Sequence, residues 1–180
     1  MPATEPEHRS CTVWTIGHGN AADETVAARL RELGIRVVLD VRTVPYSQYT
    51  HQFNREVFAN TLRAAGIDYR FAGQHLGGRP DDPTCYKHGV VPGPDASYLE
   101  LVDYPEVARR PWFQKALGRL IAIAGEQPAA IMCSEEDPHR CHRHHLIAQA
   151  LLQQDIAVVH IRGDGKQELA AIEPQQLSLF

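Results

Sequence analysis

The chain has 180 residues, 43% of them hydrophobic and 22% charged, which is enough for one domain with a real core and too few for two comfortable ones. Its net charge of −4 excludes holding nucleic acid by overall charge alone, so any such binding has to rely on a local patch or a tether. No apolar run approaches the roughly 20 residues of a membrane span; the polar start "MPATEPEHRS" lacks the marks of a secretory signal; and the four scattered cysteines (Cys11, Cys85, Cys133, Cys141) fit a reducing compartment, so a cytoplasmic protein with no membrane partner is expected.

Residues 11–17, "CTVWTIG", form a β-branched and aromatic run that ends in glycine and predicts a buried strand. The spacing of Val26, Leu30 and Leu33 predicts a helix over 23–34, stopped by Gly34. A second strand is predicted over 35–42. A second helix follows over 54–66, with Val57, Phe58 and Leu62 inward and Asn54 as N-cap. A third strand spans 67–73. Residues 74–97 are rich in Gly, Pro and Asp and read as a long functional loop. A helix is predicted around 112–124 and a fourth strand over 129–135. One continuous helix is predicted over 137–154, with Asp137 capping it and Pro138 in its first turn. A last strand spans 156–163. Alternating strands and helices predict an α/β fold: a single three-layer domain over residues 11–165, its mainly parallel sheet flanked by helices. Residues 166–180 read as linker and C-terminal tail.

In such a sheet the site lies beyond the carboxyl ends of the strands. Those positions hold "GHGN", "DVRTVPYS", "GQHLGGRP", "CSEEDPHRCHR" and "RGDG", which is most of the unusual chemistry of the chain. "GHGNAA" (17–22) formally fits a dinucleotide-binding turn, with Asp40 ending the next strand. The plainer reading is a tight turn that presents His18, a residue suited to acid–base work near neutral pH. Asp40 and Arg42 alternate along one strand end and share a side. Arg42, Arg79, Arg140 and Arg143 are candidates to converge on a phosphate or carboxylate. The densest stretch is "MCSEEDPHRCHRHH" (132–145), and three readings of it stay open. Cys133, Cys141 and His142 offer metal-ligand types at a spacing that matches no standard zinc pattern. Cys133 and Arg140 suggest a phosphate-loop cysteine enzyme, opposed by the acids between them. In the favoured reading Glu135 is the nucleophile or general acid/base, with His142 and Arg143 orienting substrate. The catalytic candidates are therefore His18, Asp40, Glu135, Cys133, Cys141 and His142. The cofactor is left open, with a metal ion as one possibility. Tyr46, Tyr49, Phe53, Tyr86, Tyr98 and Tyr104 lie in or beside the loops and are placed to stack a base, wall a pocket or close a core.

The stretches "TIGHGN", "LDVRTVPYSQ", "QFNREVF", "GIDYRFAGQHLGGRP", "YLELVDYPEV", "AAIMCSEEDPHRCHRHHLIA" and "VVHIRGDG", in this order, resemble the bacterial domain-of-unknown-function 488 family over most of the chain. The resemblance implies an α/β fold with an enzyme-like cleft built from His18, Asp40, Arg42, Arg79, Cys133, Glu135, Cys141, His142 and Arg143, and it implies no particular reaction. Two departures stand out: Gln48 where the family often has Arg, which removes one anion contact, and Ser134 where it often has Ala.

The chain ends "QLSLF", and Gln176, Leu177, Leu179 and Phe180 resemble the short peptide by which bacterial polymerases and repair proteins bind the DNA sliding clamp. Two aliphatic anchors and an aromatic suit apolar pockets, while the glutamine suits a polar rim. These features lead to an expected DNA repair or DNA-processing enzyme recruited by the clamp, acting on a base, nucleotide or phosphodiester. The alternatives are a small-molecule or metal–thiolate enzyme unrelated to DNA, and a non-catalytic clamp-bound adaptor.

Overall fold

A computed structural model describes residues 11–174. The strands are β1 (Thr12–Gly17), β2 (Val37–Asp40), β3 (Asp68–Phe71), β4 (Ala129–Cys133), β5 (Ala157–Ile161) and β6 (Gln167–Leu169). They form one sheet in the order β3-β2-β4-β1-β5-β6, parallel throughout except for β6, which runs antiparallel to β5. The predicted α/β architecture is the observed one.

The period of two along a strand sorts its side chains between two cores. Ile16, Val38, Ala130 and Met132 pack with Val26 and Leu30 of α1 (Asp23–Glu32) and with Phe58 and Leu62 of α2 (Arg55–Ala64). Val13, Val37, Leu39 and Ile131 face the other way. They pack with Phe113, Leu117 and Leu120 and with Leu146, Ile147 and Leu151. Every residue of β2 and β4 is buried, as expected of strands covered on both faces. Helices on opposite faces follow the adjacent strands β2 and β4, the kind of reversal beyond whose carboxyl ends a crevice is expected.

Several expectations require correction. Val57 is exposed, because the buried stripe of α2 runs through Phe58 and Leu62. Asn54 precedes α2 but does not cap it with its side chain; its Oδ1 accepts from the Ser47 amide instead. The long loop contains a short helix, α3 (Gly73–Leu76), and further on lie α4 (Tyr98–Leu101) and α5 (Tyr104–Arg109), ahead of α6 (Pro111–Glu126). Asp103 caps α5 by accepting from the Glu106 amide at 3.0 Å.

The segment predicted as one helix over 137–154 is broken. Pro138–Arg140 form a single 3-10 turn, Asp137 accepting from the His139 amide. Cys141 is then extended (φ −137°, ψ 143°). A π-helical turn, Arg143–Ala148, follows and runs into α7 (Gln149–Leu152). π turns insert an extra residue into a helix and are enriched at functional sites.

Nor does the domain stop at residue 165. β6 extends the sheet, Ala170 is buried and its amide donates to the Val158 carbonyl at 2.9 Å, so the stretch read as linker is partly structural. The tail candidates Gln176, Leu177, Leu179 and Phe180 lie outside the described residues. Among the described residues no helix is long and apolar enough to cross a membrane.

Candidate active-site cleft

A cleft of about 570 Å³ opens at the carboxyl ends of β2 and β4. Its lining includes Arg42 and Thr43 after β2, Gly78 and Arg79 after α3, and Cys133, Ser134 and Glu135 at the end of β4; Arg140, Cys141 and His142 come from the broken helix. Tyr46, Tyr98 and Tyr104 form much of the remaining wall. Of the ten catalytic and anion-binding candidates, Arg42, Arg79, Cys133, Glu135, Arg140, Cys141 and His142 converge here. His18, Asp40 and Arg143 do not line it.

These three lie beneath the cleft and hold it in shape. Asp40 is fully buried: its Oδ1 accepts from the Arg42 amide (3.1 Å) and Nε (2.9 Å), and its Oδ2 accepts from Arg42 Nη2 (2.6 Å) and the Tyr69 hydroxyl (2.6 Å). Arg42 Nη2 also donates to the Phe53 carbonyl at 2.8 Å, so the guanidinium is fixed in one orientation. With its carboxylate engaged, Asp40 is not free to read a ribose, which removes a requirement of the dinucleotide reading. His18 donates from Nδ1 to the Gly19 carbonyl at 2.8 Å and accepts from Arg42 Nη1 at 3.4 Å; its ring stacks on Phe53 with centroids 4.0 Å apart. Burial pushes the His18 pKa down from 6.5 to about 4, so the ring is neutral near pH 7. Arg143 is 0% exposed. It donates to the Glu135 carbonyl, to the Glu136 carbonyl (2.7 Å) and to Thr15 Oγ1 (3.2 Å), tying the loop after β4 to the core. It is a positioning residue, out of reach of an anion in the cleft.

The floor is a sulfur pair and a ring. Sγ of Cys133, Sγ of Cys141 and a nitrogen of His142 all lie within 4.8 Å of one another. His142 Nδ1 is 3.8 Å from each sulfur, while Nε2 lies 3.1 Å from the Leu76 carbonyl. A carbonyl only accepts, so Nε2 carries a hydrogen, and in the neutral ring Nδ1 turns a lone pair toward both sulfurs. The extended backbone at Cys141 breaks the helix beside this pair. The Cys141 thiol is drawn well below its usual range, first by its hydrogen bond with Cys133 and then by His142 and the Arg143 charge, against the opposing effect of burial. Cys133 goes the other way, raised by the same hydrogen bond and by burial. Of the two sulfurs, Cys141 is the one inclined to lose its hydrogen and Cys133 the one inclined to keep it.

Two glycines make the geometry possible. A Cβ on Gly78 would lie 2.6–2.9 Å from the His142 ring, so only glycine lets this loop cross the imidazole. A Cβ on Gly17 would lie 1.7 Å from the Glu135 carbonyl oxygen, where β1 and the loop after β4 touch.

The rim is cationic. Asp40 matches the charge of Arg42, which leaves Arg79 and Arg140 against the half-buried Glu135. Arg79 sits 4.4 Å over the Tyr98 ring, and its amide donates to Thr43 Oγ1 at 3.2 Å. Sequence reasoning missed Thr43 and the Leu76 carbonyl; the first has no distinguishing pattern, and the second is a backbone atom that no side-chain pattern reports. Among the aromatic candidates, Phe53 and Tyr86 are core residues and Tyr49 is 93% exposed.

Fold and site together define an α/β protein with a cysteine–histidine–arginine cleft at the carboxyl edge of its sheet. The chain belongs to the family described as Domain of unknown function DUF488, which matches residues 22–150. No curated protein and no solved structure matches it.

Proposed function

We propose that this chain is a cysteine-dependent hydrolase or transferase of anionic, nucleic-acid-derived substrates, brought to DNA through its C-terminal peptide. The observation that carries the catalytic part is the Cys141–Cys133–His142 floor under an arginine-bearing rim. In this reading Arg79 and Arg140, with the fixed Arg42, bind the substrate anion. Cys141 attacks as thiolate, its proton having passed to the Nδ1 lone pair of His142, which gives it to the leaving group as that group's bond to the substrate breaks and the Cys141-bound intermediate forms. Glu135, a carboxylate on the same wall, is placed to deprotonate the water that releases the product. The nucleic-acid part rests on the sequence of the tail. A clamp tether raises the local concentration on DNA to roughly millimolar, which suits a protein of negative net charge.

Alkylation by iodoacetamide across pH tests the nucleophile. One cysteine, mapped to Cys141 by peptide mass, is expected to react well below pH 8, and Cys141→Ser is expected to abolish that phase. A reaction that begins only near the ordinary thiol range, or that maps elsewhere, removes Cys141 as the nucleophile.

A second reading is favoured by one observation. Cys133, Cys141 and His142 have ligand atoms close enough for one ion, and the Nε2–H bond to Leu76 orients Nδ1 as metal-bound imidazoles are oriented. Stoichiometric metal in anaerobically purified protein, lost in Cys133→Ser and in Cys141→Ser, would establish a metal–thiolate centre instead.

A further inference from the structure

A second cluster lies outside the cleft. His144 Nε2 is 3.2 Å and His145 Nδ1 is 2.7 Å from the same oxygen, Oε1 of Glu173. The three ligand atoms lie within 4.8 Å of one another. The backbone that carries the carboxylate is held in place: the Gln149 side-chain amide accepts from the Glu173 backbone N–H at 2.9 Å and donates to the Ala171 carbonyl at 3.1 Å. The rings are held as well. His145 Nε2 is 2.7 Å from the His139 carbonyl, and His144 Nδ1 is 2.9 Å from His160 Nε2, whose own Nδ1 is 2.7 Å from Thr15 Oγ1.

The hydrogens on these rings can be counted. The His139 carbonyl only accepts, so His145 carries a hydrogen on Nε2. A neutral ring then turns the lone pair of Nδ1 toward a carboxylate oxygen 2.7 Å away, a repulsive contact unless a cation sits between them. A second proton on His145 would supply one. A metal ion supplies it for both rings at once, because His144 Nε2 points to the same oxygen. We propose that His144 Nε2, His145 Nδ1 and Glu173 Oε1 form a binding site for a divalent first-row transition ion such as Zn²⁺. In the bound form the remaining ring hydrogens all have acceptors. His145 donates to the His139 carbonyl, His144 Nδ1 donates to His160 Nε2, and His160 Nδ1 donates to Thr15 Oγ1. Such outer contacts orient metal-bound imidazoles. Two nitrogens and one oxygen suit Zn²⁺ with a solvent-facing fourth position, and the partial exposure of His145 and Glu173 leaves that side open. The ion clasps residues 170–174, which follow the edge strand, onto the π-helical turn.

The test uses the full chain with Cys133→Ser and Cys141→Ser, which removes the sulfur ligands of the cleft, and measures Zn²⁺ by competition with a chromophoric chelator. One Zn²⁺ per chain is expected. Glu173→Gln and His145→Gln, made separately in that background, should each weaken it by about tenfold or more. Zn²⁺ should also raise the melting temperature of the parent but not of Glu173→Gln, a half-exposed position where loss of fold is not expected. No bound Zn²⁺, or an affinity that neither substitution changes, overturns the site. If the double cysteine variant fails to fold, Co²⁺ added to the wild-type chain decides. An ion at this site gives visible ligand-field bands without thiolate charge transfer, and these bands vanish in Glu173→Gln. Bands that persist in Glu173→Gln, or an ion that shows only thiolate charge transfer, count against it.

Discussion

His18 lies under Phe53 with both ring nitrogens engaged, and this has a consequence in acid. Burial lowers its pKa to about 4; the Gly19 carbonyl opposes the shift, Arg42 and Arg143 deepen it, and Asp40 opposes it. In the unfolded chain the ring protonates near pH 6.5. Between those values the unfolded state takes up a proton that the folded state refuses. The stability associated with this ring is therefore fully present above about pH 6.5, falls as pH drops toward 4, and levels off below. The slope reaches on the order of 1.4 kcal/mol per pH unit. His18→Asn should lower stability at pH 7 yet lose less of it between pH 7 and 4.5, read from urea midpoints at several pH values. An unchanged pH slope would show that the ring is not buried in its neutral form. The positions of His18 and Asp40 at strand ends were legible from the sequence, whereas Arg143 was expected on one continuous helix and opens the π turn instead. Their depth was not, because it is set by partners distant in sequence: Phe53 over His18, Tyr69 on Asp40, Thr15 under Arg143. Cys133, Arg140, Cys141 and His142 were legible because chemistry and strand-end position coincide in one short stretch, and Arg79 because it lies in the loop beyond the third strand.

Elements with a strong period were readable, and irregular ones were not. Strands β1 to β5 and helices α1, α2 and α6 follow apolar spacing that local sequence carries. The three-residue edge strand β6 is too short to show a period, and α4 and α5 are single turns or little more. The break at Cys141 hides inside a helix-like pattern, because Leu146 and Ile147 in the π turn and Leu151 after it still face the core. Packing between elements makes two glycines differ in kind. In Gly17→Ala the new Cβ would meet a backbone carbonyl at 1.7 Å, which cannot rotate away, so β1 and the loop after β4 must separate. A loss of about 3 kcal/mol is expected, which is a fall of roughly 6–12 °C in melting temperature for a domain of this size. In Gly78→Ala the Cβ would meet the His142 ring, a side chain on the floor of the cleft with open space beside it to turn into. That substitution should leave melting within a few degrees and instead displace His142 from the sulfurs, slowing the low-pH alkylation of Cys141. Equal melting losses for the two alanines would mean that the loop over His142 is as rigid as the junction beneath it.

At the scale of the whole molecule, charge and recruitment bear on one another. A chain with net charge −4 has few cations to spare for a duplex, and its cleft offers Arg79 and Arg140 against Glu135. Binding to DNA alone should be weak and should fall further with salt, since each neutralised phosphate releases counterions. A clamp contact through Leu177, Leu179 and Phe180 would be mostly apolar, and salt screens such a contact little. The two routes to DNA can therefore be separated. On primed DNA carrying a loaded clamp, the full chain should be retained at salt concentrations that release it from the same DNA without clamp. Removing residues 176–180, or making Leu177→Ala with Phe180→Ala, should abolish that retention. Neither change should alter the melting temperature or the alkylation rate of Cys141, because the sulfur pair and its arginine rim are built from residues 42–142. Retention measured by surface-bound DNA at two or three salt concentrations reads both routes to DNA in one experiment. If the truncated chain is retained as well as the full one, or if both lose binding with the same salt slope whether or not clamp is present, the peptide does not recruit this protein, and the cleft must find its substrate in solution.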